Sequence, residues 1–173
     1  MPFVMASAMA FGMTLLPGIA FAAPGSSTSN GAAEAAVIQP LRISAITPLA
    51  FGQLTRPTAA GTLVMAPNGS RTSTGGIIGS ATIAQTGARG PGTFAVTGDP
   101  ARLFTLSLPT TLTLRAGANT MTVNTFRSNW VSGTSQLSAA GTFALSVGAT
   151  LRVRANQAIG TYTGAYAVTV AYQ

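Results

Sequence analysis

Glu34 and Asp99 are the only carboxylate side chains in this sequence, and they stand far apart along the chain. Acid–base cleavage of a glycosidic bond needs two carboxylates facing one bond across a pocket. The other common reactive groups are missing outright, because the 173 residues contain no His, no Cys and no Lys. There is therefore no imidazole base, no thiolate nucleophile or zinc ligand, no disulfide and no amine for a Schiff base. What remains is carried by hydroxyls, by nine arginines and by a handful of aromatic rings. The residue types predict no enzyme, no metal site and no cofactor, and direct attention to recognition and assembly.

The arginines stand at positions 42, 56, 71, 89, 102, 115, 127, 152 and 154 and give a formal net charge of +7. They are spread along the chain rather than gathered with interleaved aromatics, so a nucleic-acid partner is not expected. Weak attraction to anionic cell-surface polymers and solubility follow from the charge alone. Arg152 and Arg154 alternate with Leu151 and Val153, which reads as the solvated face of a strand. Trp130, in the polar stretch FRSNWVSGTS, has two readings: an exposed ring that stacks on sugar, or a partly buried loop anchor, the commoner role for an indole.

Hydrophobic residues at 47% against charged residues at 6% are enough to build one core, and 20 Gly with 10 Pro predict a chain of many turns. The first 22 residues are uncharged and apolar, with Pro17-Gly18 ahead of Ala20-Phe21-Ala22. This reads as a secretory signal peptide cut after Ala22. An uncleaved membrane anchor is the rival reading, weakened by the helix-breaking Pro-Gly pair. The basic residue that normally opens a signal peptide is absent, the first being Arg42. Cleavage would leave no membrane span and would export the chain through the periplasm to the cell surface or the medium.

Residues 23–34 are small and polar and read as a flexible arm, and 35–173 as one β-sandwich domain. Ala35 to Ile46 alternates, with Val37, Leu41, Ile43 and Ala45 on one face, and Pro40 places that strand at an edge. Further short runs follow: LAFGQL, GTLVMA, SATIAQTG, GTFAVTG, RLFTLSLP, TLTLRAG, NTMTVNTF, TFALSVGATLRVRA and TYTGAYAVTVAYQ. Turns at Pro67-Asn68-Gly69, Gly90-Pro91-Gly92, Gly98-Asp99-Pro100 and Ala140-Gly141 separate several of them. The fold class predicted is all-β, an immunoglobulin-like β-sandwich, with a closed barrel as second choice. The run TFALSVGATLRVRA keeps its phase across Gly148 and predicts one long strand bent there.

The last 14 residues carry the most specific pattern. Tyr162, Gly164, Tyr166, Val168, Val170 and Tyr172 alternate with Thr and Ala, so one face is large and apolar and the other small. A free edge on such a strand would template aggregation unless another strand pairs with it. Either a strand of the same domain covers it or a second molecule supplies one by β-augmentation.

These residues carry a resemblance. Gly160, fourteenth from the end, the alternating Tyr162, Tyr166, Val168 and Val170, and the penultimate Tyr172 look like the terminal motif of chaperone–usher pilus subunits and of spore-coat-U-like secreted proteins. Together with LAFG, GTLVMAPNGSRT, FAVTG and LFTLSLP, they resemble a secreted bacterial domain family of unknown function, of the DUF4402 type. The resemblance implies a sandwich short of one strand, which a periplasmic chaperone lends and the arm of the next subunit replaces. It implies Gly160, Tyr162, Tyr166, Val168, Val170 and Tyr172 as acceptor, with a donor between Ala32 and Leu41 and inward residues Ala33, Ala35, Val37 and Leu41. The implied role is a structural subunit of a pilus-like fibre or surface coat: a homopolymer, with an outer-membrane usher as a further partner. Two features depart from pilus subunits: there is no Cys, and Val37 and Ile38 are the first large apolar residues of the arm. The alternatives are a complete sandwich beginning at 35–46, and a free-standing secreted domain binding a surface glycan near Trp130 or Arg89 to Thr93.

Overall fold

The computed structural model describes residues 25–77 and 88–173. The chain divides into two units, Met1–Ala36 and Val37–Gln173. In the first, the described residues 25–36 are exposed and form neither helix nor strand, as expected of small polar side chains with no apolar face to bury. The expected signal peptide lies outside the described residues.

The second unit is all-β, with antiparallel ladders throughout its described strands. Its largest sheet runs β1 (Arg42–Thr47), β6 (Gly92–Thr97), β10 (Thr142–Val153), β3 (Gly61–Met65) and β4 (Arg71–Gly75). On the other edge of β10 lies β9 (Asn119–Ser128), which in turn pairs β8 (Thr111–Ala116). Two short ladders pack against this sheet: β11 (Thr169–Tyr172) with β7 (Phe104–Ser107), and β2 (Ala50–Phe51) with β5 (Arg89–Gly90). The arrangement is that of curled antiparallel layers closing on a shared interior, consistent with a β-sandwich.

The strand β10 organises the molecule. Its first half pairs β6 up to Val147↔Gly92, and its second half pairs β3 from Ala149↔Met65 onward. The change of partner falls on Gly148, where a Cβ would lie 2.2 Å from the Met65 carbonyl oxygen, so only glycine lets β3 leave there. Opposite Ala149, β9 carries two residues, Thr125 and Phe126, a bulge with Thr125 at φ 51°. Along β10, Leu145 and Val147 enter one apolar cluster with Val96, Phe104 and Leu137. Ala149, Leu151 and Val153 enter another with Phe51, Leu63, Met65, Ile77 and Val123. The long strand running through the glycine was legible in the sequence, and so were β3, β6 and β8 and the edge position of β1.

Two expectations need correction, and one strand was not anticipated. The strand expected from Ala35 begins only at Arg42, because no ladder pairs the residues before it. The strand expected over the last 13 residues is regular only at Thr169–Tyr172, where β7 runs beside it. The polar strand β4 had no apolar alternation to announce it and is held by pairing with β3. The run SATIAQTG lies outside the described residues.

Candidate functional site

The stretch Gln157–Tyr166, upstream of β11, forms one wall of an apolar groove of about 820 Å³. The opposite wall is Pro48–Pro57, and the floor is made by Leu112 and Leu114 of β8, Met121 of β9, and Leu151 and Val153 of β10. Leu112 and Leu114 alternate with exposed Thr111, Thr113 and Arg115, so their strand turns one apolar face inward. The floor therefore belongs to the second apolar cluster, on which Leu49, Leu54, Leu112, Leu114 and Met121 pack only partly buried.

The wall is fixed at a few points rather than along a ladder. Gln157 is buried, and its amide donates to the Thr120 carbonyl at 3.2 Å and to the Tyr162 hydroxyl at 2.8 Å. Tyr162 in turn donates to the Ala158 carbonyl at 2.8 Å. Thr163 and Arg115 exchange backbone hydrogen bonds of 2.8 and 3.0 Å, a single bridge to β8. Next to it Gly164 runs close over β8, where a Cβ would lie 2.9 Å from the Thr113 carbonyl oxygen. Beyond that bridge no ladder holds the wall until β11 begins.

Tyr166 closes the end of the groove. Its ring meets Phe94 edge-on at 6.2 Å and Phe126 at a tilt at 5.3 Å. Its hydroxyl is buried with no hydrogen-bond partner and sits over Gly92, where a Cβ would come within 2.3 Å. Burial raises its pKa above the ordinary phenol value. Val168, Val170 and Tyr172 then pack on the first apolar cluster. The Tyr172 hydroxyl accepts from the Asp99 N–H at 2.6 Å and donates to the Gln39 carbonyl at 2.7 Å.

All the large residues expected on the inner face of the terminal segment are partly buried, and Thr161, Thr163, Ala165, Ala167, Thr169 and Ala171 are exposed between them. Tyr162 and Tyr166 line the groove, as does Gly160, which is exposed in a bend, whereas Val168, Val170 and Tyr172 lie beyond it. Among the donor candidates Ala33 and Ala35 are exposed, and Val37 is fully so. Leu41 differs: it packs on the first apolar cluster of its own domain, with Cδ1 near Gly98, which removes it from any strand given away. Trp130 is an anchor, its Nε1 donating to the Phe104 carbonyl at 3.1 Å and its ring leaning on Phe104. The residues missed were the opposite wall and the floor. The alternation in TLTLRAG was the available trace of the floor, since it leaves Leu112 and Leu114 needing cover.

Over residues 41–172 the chain matches the family model described as Domain of unknown function (DUF4402). The chain belongs to this family. The matched region runs from Leu41 to Tyr172, so the DUF4402 domain holds both groove walls and the terminal strand. No curated protein and no solved structure matches the chain. Among the described residues no helix of this DUF4402 protein is long and apolar enough to cross a membrane.

Proposed function

We propose that the protein is a non-enzymatic structural subunit of a pilus-like extracellular fibre or surface coat, exported through the periplasm and polymerised by β-augmentation. The arm of a second copy, over Ala33 to Ile38, lies in the groove beside Gln157–Tyr166. One observation carries this reading: an apolar floor continuous with the core, flanked by a wall whose backbone is paired at a single bridge. An added strand would satisfy open N–H and C=O groups while burying Leu112, Leu114 and Met121, so hydrogen bonding and apolar burial favour the same occupant. The arm suits it, because Val37 and Ile38 stand exposed ahead of β1 with no strand of their own. A periplasmic chaperone would shield the same groove before assembly, and an outer-membrane usher would exchange the two.

The absence of cysteine makes a clean test available. A double variant Val37→Cys and Ile159→Cys places thiols on the arm and on the exposed groove rim. Mild oxidation of surface material is expected to give a covalent ladder that collapses on reduction. Monomers alone, with or without an internal disulfide, would overturn the reading.

A further inference from the structure

A second cleft, of about 440 Å³, opens between the β3–β4 hairpin and the turn that joins β5 to β6. Its lining includes Met65, Gly69, Arg71, Ser73, Arg89 and Pro91. Arg71 and Ser73 stand two apart on β4 and share its inner face, both partly buried. Arg89 enters from β5, whose partner is Phe51 of β2. Two ladders distant in sequence thus bring two guanidinium groups to one concavity.

Neither arginine has a carboxylate. The ion pair found among the described residues joins Arg102 to Asp99 at 2.7 Å, away from this cleft. The Nε of Arg71 is buried and has no hydrogen-bond partner. A buried guanidinium N–H left unpaired is destabilising unless something accepts from it. Desolvation and, behind it, the charge of Arg89 both push the Arg71 pKa down. Both effects oppose the cation, and an anion between the two groups would relieve both.

We propose that this cleft binds an oxyanion, a carboxylate, sulfate or phosphate group, held between Arg71 and Arg89 with the Ser73 hydroxyl as a further donor. Planar guanidinium forks match such groups with paired N–H···O bonds. The volume exceeds what a small ion needs and lies in the range of small-molecule sites, so the group is carried on a larger body such as an acidic sugar or a phosphorylated compound. The cleft shares no lining residue with the groove.

The test is titration of the full chain at low ionic strength with inorganic phosphate, inorganic sulfate and glucuronate, followed by amide NMR shifts. At least one probe should saturate, with shifts centred on Gly69 to Ser73 and Arg89 to Gly92. Phosphate as the tightest probe would point to phosphorylated ligands, sulfate to sulfated ones and glucuronate to acidic sugars. Arg71→Gln and Arg89→Gln should each weaken binding tenfold or more. Arg152→Gln, on the exposed face of β10, should leave it unchanged. If Arg71→Gln disturbs folding, the exposed Arg89 decides. The proposal fails if no probe saturates, if Arg89→Gln binds as the parent does, or if Arg152→Gln weakens binding as much.

Discussion

The two halves of the terminal segment carry the same alternation of large and small residues yet live in different surroundings. Thr169–Tyr172 is laddered to β7, and its last ring is fixed by two hydrogen bonds. In Gly160–Val168 only Tyr162, Tyr166 and Val168 are partly buried, Gly160 and Gly164 being exposed, with one bridge for support and a groove at its side. Side-chain periodicity therefore decides which face is buried, while pairing depends on what the rest of the chain lays alongside.

The laddered half can be broken most severely from beneath. Phe104 is fully buried under it, touching Trp130 and Phe143, and Phe104→Ala should cost about 3–5 kcal/mol of stability, read from a denaturant midpoint. Tyr172→Phe tests the fixing of its end. It leaves the Asp99 N–H and the Gln39 carbonyl without their partner, and a loss of about 1–2 kcal/mol is expected, with faster amide exchange at Asp99.

The same substitution in the unladdered half should behave differently. Tyr166→Phe removes a buried hydroxyl that has no partner, so stability should hold or rise by up to about 1 kcal/mol. Its pH dependence sharpens the contrast. Because burial raises the folded-state pKa of Tyr166, its contribution is fully present below the unfolded phenol value near pH 10 and is lost as pH rises through the folded one. Alkaline unfolding should therefore be shallower in Tyr166→Phe than in the parent, and an unchanged alkaline limb would show that the hydroxyl is solvated.

Much of this was legible in the sequence. The alternation in RLFTLSLP, TLTLRAG and TFALSVGATLRVRA announced strands, and the phase kept across Gly148 announced one long strand there. The faces of the terminal segment were legible down to Tyr172. What was not legible depended on partners: β4 is polar and exists because β3 runs beside it, and β5 is two residues long. The groove was hidden for the same reason, since its floor comes from β8, β9 and β10 and its far wall from Pro48–Pro57. Of the cleft at Arg71 and Arg89, only the Arg89 side was singled out, as part of the Arg89 to Thr93 stretch considered for a surface glycan, because a scatter of arginines along a chain says nothing about which two will meet.

The Tyr172 hydroxyl ties the place where the chain enters the domain, at Gln39, to the place where its final strand stops. A tensile load applied at those two points would cross a gap one hydrogen bond wide and leave the sandwich behind it slack. Yield would begin with that single tie and continue by shear along the β1–β6 and β7–β11 ladders, so the mechanical strength of the domain resides in its seam and hardly at all in its bulk.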